Sequence, residues 1–286
     1  MQEGLFCDGD NKWYTKNDIY CALQGIGAQD CDVLFIHTDI MFGMPNRGIR
    51  RNEFLSTLYD VIKELNVQTL IYPTFTYSFC NNEPFDVLKS KTSMGALNEF
   101  ARKQPSAIRS RDPLLSVASI GAHSNMFDNL KNDNSLGCGC ALDILHHTPD
   151  VKFLFFGAEF SNCFTYVHYV EKMLSVPYRF DMTFDGTIID ENGESYRKKQ
   201  SINTACYGIR PIDFYHFKEY LIAKGYLLVK RIGDKEISII SEPVAYREIC
   251  NKIGERIDYF LERPFTSADL APIYTYDRSH GRITHC

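Results

Sequence analysis

No apolar run in this chain approaches the roughly 20 residues that an α-helix needs to cross a bilayer. The longest candidate, VKFLFFGAEF from Val151, has the length of a strand. Membrane contact is therefore not expected. A cationic excess is missing as well: 31 Lys and Arg stand against 36 Asp and Glu, a formal net charge of −5. That balance lacks the basic surface that nucleic-acid binding needs, although a local basic pocket for a phosphorylated ligand stays open. The ten cysteines include no CxxC pair. The GCGC of 137–140, followed by His146 and His147, fits no standard zinc spacing, so a loop role and no metal are expected there. Motifs of the forms GxxxxGK[ST], GxSxG and HExxH are absent, and no GxGxxG follows a strand. No Gly/Ser-rich or Pro-rich linker and no internal repeat divides the chain. The opening MQEGLFCDGDNKWYTKNDI has no basic stretch leading into an apolar one. The expectation is a cytoplasmic protein without a signal peptide, its thiols reduced.

What is present is ample material for a core. The chain has 286 residues, 44% hydrophobic and 23% charged, a globular composition. Residues 15–28 carry a helical pattern behind Thr15 as N-cap. DVLFIHTDI (32–40) and QTLIYPTFTYSF (68–79) are strands, and 51–65 between them has helical periodicity. A helix with its start at Thr92 or Ser93, a strand at 114–124, a short helix at CALDILHH and a strand at 151–158 follow. Alternating helices and strands predict an α/β fold with a largely parallel sheet and flanking helices over 1–177. Beyond Pro177 the character changes. Residues 178–208 alternate, with DG at 185–186 and ENG at 191–193 as turns. A helix at 212–225, a strand–turn–strand at 226–241 and a helix at 245–263 complete an α+β part over 178–286, packed on the first.

The stretch FTYVHYVEKML (164–174) places His168 and Glu171 three residues apart, so both share one helix face just after a strand. The spacing alone equally suits a solvated surface pair. A carboxylate beside an imidazole also fixes its tautomer and makes it a general base near neutral pH. Cys163 and Cys80 are alternative nucleophiles, each of which also reads as a small buried apolar residue.

An ordered series of motifs goes further. It comprises FIHTDIMFGMPNRGIRRNEFL from Phe35, PTF at 73–75, PFD at 84–86, MGALNEFARKQPSAIRSRDPLLSVASIGAHS at 94–124, and TYVHYVE at 165–171. Over roughly residues 15–262 the chain resembles the aminoglycoside 3-N-acetyltransferase family, acetyl-CoA-dependent enzymes distinct from the GNAT acetyltransferases. The resemblance implies that His168 is the base and that Glu171 orients it; Thr165 and Ser116 are the candidate hydroxyl donors to the oxyanion. It implies binding of an acyl-CoA by His37 and the loop after it, with Thr38, Asp39, Gly43, Asn46, Arg47, Gly48, Arg50 and Arg51 contributing through backbone N–H groups and charge. Ser116 would lie along the thioester, and Phe75, Asp86, Arg109, Asp112 and Phe164 would face the acceptor.

The chain departs from the family pattern at three places. Asp112 stands where members usually have His, Phe164 where they usually have Asn, and NRG replaces a glycine pair. These departures, with RSRDP at 109–113, favour a nucleotide-linked amino sugar as acceptor over a free aminoglycoside antibiotic. The expected reaction is direct transfer of an acetyl or short acyl group to a primary amine. A homodimer would be compatible with it. The rival expectations are an aminoglycoside 3-N-acetyltransferase conferring resistance, a cysteine-dependent acyltransferase or amidase, and a ligand-binding relative without activity.

Overall fold

The computed structural model describes residues 4–206, 214–271 and 273–285. Residues 207–208 of the expected hairpin and 212–213 of the expected helix lie outside them. Two short strands, β1 (Phe6–Cys7) and β2 (Trp13–Tyr14), precede α1 (Lys16–Gly25). Thr15 and Asp18 form a reciprocal capping box at its start, satisfying amides that the first turn cannot. Next come β3 (Val33–Thr38), β4 (Met44–Pro45), α2 (Arg51–Lys63), β5 (Thr69–Pro73), β6 (Phe85–Asp86), α3 (Ala96–Ala101), β7 (Ile108–Arg109) and β8 (Val117–Gly121). Helix α3 begins after Gly95, later than expected, because Thr92 and Ser93 spend their hydroxyls on the Phe75 carbonyl instead. Then follow α4 (Ala141–His146), β9 (Val151–Phe156), α5 (Phe160–Cys163) and α6 (Tyr166–Met173).

Seven strands form the main sheet once β12 (Leu228–Ile232) and β13 (Lys235–Ser241) have joined it, in the order β12-β13-β9-β3-β5-β8-β7. The parallel part is its centre, where β3 lies between β9 and β5; the pairings outside that centre are antiparallel. Central strands buried on both faces explain their continuous apolar runs. In β3, Leu34 and Ile36 face the core shared with α1 and α2, whereas Val33 and Phe35 face the core shared with α4, α6 and α8 (Glu242–Glu255). The last helix starts at Glu242, ahead of the expected 245, because Pro243 is well suited to a first helical turn.

Between α6 and that sheet edge runs one long hairpin, β10 (Arg179–Ile189) with β11 (Ser195–Ala205), followed by α7 (Tyr215–Ala223). Of the two expected turns, only the one around 190–194 exists. Asp185 and Gly186 lie inside β10. Gly186 is there because the Phe79 ring packs onto it; a Cβ would sit 2.6 Å from that ring. The chain ends in β14 (Tyr274–Asp277) and β15 (Arg282–His285), a second hairpin laid against the first. The strands β12 and β13 of the second part thus extend the sheet of the first, with β13 paired to β9. No helix among the described residues is long and apolar enough to cross a membrane.

Candidate active site

The site is built on the chain reversal after β9. Gly157, at φ +71°, turns the chain so close to β3 that a Cβ would lie 2.1 Å from the Asp39 carbonyl oxygen. A larger residue could not make that turn. The chain then passes through α5 into α6. Tyr166, Val167, Tyr169 and Val170 bury one side of α6 in the core. Thr165, His168 and Lys172, at helical spacing, reach solvent on the other.

His168 Nδ1 lies 2.8 Å from Glu171 Oε2. Glu171 is fully buried and also accepts a hydrogen bond from Tyr178 Oη at 2.8 Å. Arg179 Nη1 reaches Glu171 Oε2 at 3.1 Å and is itself held by Asn203, through Nε at 3.0 Å and Nη2 at 2.8 Å. Burial by itself would raise the Glu171 carboxyl. The Arg179 charge, with the hydrogen bonds from His168 and Tyr178, outweighs it and holds the group below its usual range. Glu171 is therefore a carboxylate, an acceptor only. That decides the tautomer of His168: Nδ1 carries the proton and donates to Glu171, and Nε2 is the basic nitrogen. Arg179 Nη1 also lies 3.1 Å from His168 Nδ1. Two donors cannot bond one another, so this approach is a consequence of both groups sharing Glu171. Phe214 packs beside the imidazole, ring centres 5.6 Å apart. Tyr178, Arg179 and Asn203 were not legible as site residues, for their only local signal is a chain reversal at Ser175–Pro177 that folds them back onto α6.

The loop after β3 is ordered by its own hydrogen bonds. Asp39 accepts from the Met41 N–H and pairs with Lys235 at 3.0 Å. Asn46 donates to the Gly4 carbonyl and accepts from the Gly48 N–H. The Ile49 and Asn46 amides go to backbone carbonyls. The amides of Met41, Asn46, Gly48 and Ile49 are thus spent internally, so of the residues expected to contact phosphate, Asn46 and Gly48 have their backbone N–H groups already bonded. Gly43 serves the close approach of β4 to β1. Thr38 ties β3 to α3 through Asn98. What the loop offers outward is charge. Arg47, Arg50 and Arg51 are exposed at the start of α2, whose N-cap has no side-chain hydrogen bond. His37 is buried and stacked on Phe155, centres 5.1 Å apart and 8° from parallel. Burial pushes its imidazole down to about 3, so it is neutral.

Several residues expected to face substrate face the interior. Ser116 is fully buried and donates to the Thr74 carbonyl at 2.7 Å, so it does not line a thioester channel. Arg109 is buried with its donors on Thr74, Ser116, Val87 and Ser90. Asp112 is buried and accepts from the Leu114 and Leu115 amides, Ser135 and Asn132. Phe164 is fully buried, with Phe153, Phe155 and Phe160 around it. Phe75 is buried, and Asp86 caps a turn by accepting from Leu88 and Lys89. Asp112 and Phe164 are thus core substitutions, and neither is placed to contact a nucleotide. Of the thiols, burial pushes Cys163 up to about 12 and Cys80 up to about 11, against thiolate chemistry at either.

The carboxylate-held histidine lies beyond the carboxyl end of β9, the edge of an open α/β sheet at which ligands bind. The model of the aminoglycoside 3-N-acetyltransferase family matches residues 49–251, and the chain belongs to that family of acyl-CoA-dependent N-acyltransferases. Among solved structures, aminoglycoside acetyltransferase AAC(3)-Xa has a TM-score of 0.70 and 21% identity, over 86% of this chain and 94% of that one. AAC-IIIb, in a binary complex with CoASH, has a TM-score of 0.70 and 17% identity, over 88% and 99%. AAC-VIa bound to sisomicin has a TM-score of 0.71 and 16% identity, over 85% and 98%. At these identities the likeness is one of fold. No curated protein sequence matches significantly.

Proposed function

We propose that this protein transfers an acetyl group from acetyl-CoA to a primary amine of an aminoglycoside-type amino sugar, with His168 as general base. The observation that carries the reading is the buried, ionised Glu171 on Nδ1 of the half-buried His168, which makes Nε2 the basic nitrogen. In the proposed step Nε2 takes a proton from the attacking amine. The C–N bond forms, the C–S bond of the thioester breaks, and the sulfur leaves as CoA once that proton is passed to it. Arg179 and Tyr178 keep Glu171 charged and still, so the imidazole does not spend the step reorienting. General-base help of this kind contributes about 10²–10⁴-fold, and holding both substrates together adds to it. Thr165, one turn before His168, is the candidate donor to the developing oxyanion; its hydroxyl, which donates to the Cys163 carbonyl at 3.3 Å, would turn toward the substrate. Arg47, Arg50 and Arg51 at the uncapped end of α2 support binding of the CoA phosphates by side-chain charge and helix dipole together.

The family favours an aminoglycoside over the nucleotide-linked sugar expected from the sequence. Phe164 and Arg109, two supports of that expectation, belong to the core. The test is kcat/KM with acetyl-CoA for a panel of aminoglycosides beside UDP- and dTDP-linked amino sugars. Turnover confined to the nucleotide sugars would overturn the acceptor assigned here, and no transfer to any amine would overturn the reaction.

A further inference from the structure

A cavity of about 620 Å³ lies between the two hairpins and the segments that follow β5 and precede β8. Its size is that of a small-molecule site. Leu115, Met182, Phe184 and Ile202 form much of its wall, and no Asp, Glu, Lys, Arg or His lines it among the described residues. Asp112 reinforces that character by capping the Leu114 and Leu115 amides. A polycation placed there would shed its hydration with no carboxylate to replace it, so this is not the seat of an aminoglycoside's ammonium groups.

The far wall is supplied by Tyr276 and Ile283 of the β14–β15 hairpin. That hairpin lies beyond the segment 49–251 shared with the family. Phe180 stacks on Tyr274 at 4.3 Å and Phe184 meets Tyr276 edge-on at 5.2 Å. A hairpin serving only to cover the apolar face of β10–β11 would close down on it, since interiors pack to near-crystalline density. Here it packs on β10–β11 through those ring pairs and still leaves a space beside them, with the exposed Tyr77 and Gly281 on its lining. The cavity also reaches the catalytic end of the hairpin. Ala205 lines it and is the register partner of Arg179, and Cys206 lines it while donating its N–H to the Tyr178 carbonyl.

We infer that this cavity binds an uncharged apolar acyl or alkyl group carried by one of the two substrates. The inference rests on the transferase reading for its role, and its chemistry fits two sources: a donor acyl chain longer than acetyl, or an alkyl substituent on the acceptor. The experiment is calorimetric titration of the full chain with two series. One is acetyl-, butyryl-, hexanoyl- and octanoyl-CoA; the other is methyl, butyl and octyl glycosides of glucosamine. In one series the affinity should rise by about threefold to fourfold per methylene until the space is filled, and that series names the source. Thr204→Phe and Met182→Trp, which fill the cavity from different strands, should each abolish the rise while acetyl-CoA affinity stays at the wild-type value. No chain-length gain in either series overturns the inference, as does a gain that survives both filled variants. Binding of the alkyl series by a chain that neither binds acetyl-CoA nor acetylates any amine would sink the transferase reading and leave the cavity's chemistry standing.

Discussion

Arg179 meets Glu171 at 3.1 Å inside the protein, with side-chain exposures of 5% and 0%. This buried pair is what gives the histidine one turn earlier its orientation. His168→Ala is expected to lower kcat by about 10²–10⁴-fold with acetyl-CoA affinity unchanged, because the imidazole acts on the amine. Steady-state rates beside calorimetric CoA titration check both halves. A variant retaining most of its rate would remove His168 from the chemistry.

Glu171→Gln should cost stability as well as rate. It strands the Arg179 guanidinium without its counter-charge, and breaking such a pair costs about 3–5 kcal/mol. Adding Arg179→Met to that variant should restore part of the stability and none of the activity. Urea denaturation of the single and double variants reads the difference.

The triple variant Arg47→Ala, Arg50→Ala, Arg51→Ala should bind CoA more weakly, and the loss should shrink as salt is raised, because exposed charges are screened. Titration at two ionic strengths decides it. Equal affinity for wild type and variant at low salt would take these arginines out of the phosphate site.

His37 makes stability depend on pH. Burial lowers its folded value from 6.5 to about 3, so between those limits the unfolded chain binds a proton that the folded chain refuses. Its contribution is complete above about pH 6.5 and declines as the pH falls toward 3, by about 1.4 kcal/mol per unit. His37→Phe should flatten the unfolding free energy between pH 6.5 and 5 by about 2 kcal/mol relative to wild type. Parallel curves for the two proteins would mean that His37 ionises freely.

Phe164→Asn restores the residue usual in the family at a position this chain has made part of an aromatic core. It should destabilise by about 3–5 kcal/mol and leave the acceptor KM of the folded fraction unchanged. A shifted acceptor preference at undiminished stability would return Phe164 to the substrate's side.

The sequence alone set out the main alternation of helices and strands through β9 and put His168 and Glu171 on one helix face. Both depend on spacing along one segment: apolar periodicity selects the element, and three residues of helix bring two side chains to one face. It also carried the family, through motifs in a fixed order. Which side chains meet across the chain was settled by the packing of distant segments. Arg179 and Asn203 reach α6 because the hairpin folds back on it, 24 residues separating those two partners. Asp185–Gly186 reads locally as a turn, and becomes mid-strand because Phe79 needs the space above Gly186. Ser116, Arg109 and Asp112 stand in a family motif and Phe164 immediately before another, but a motif does not say which way a side chain points. Packing turned all four inward, where the polar three find buried partners and the aromatic one finds other rings.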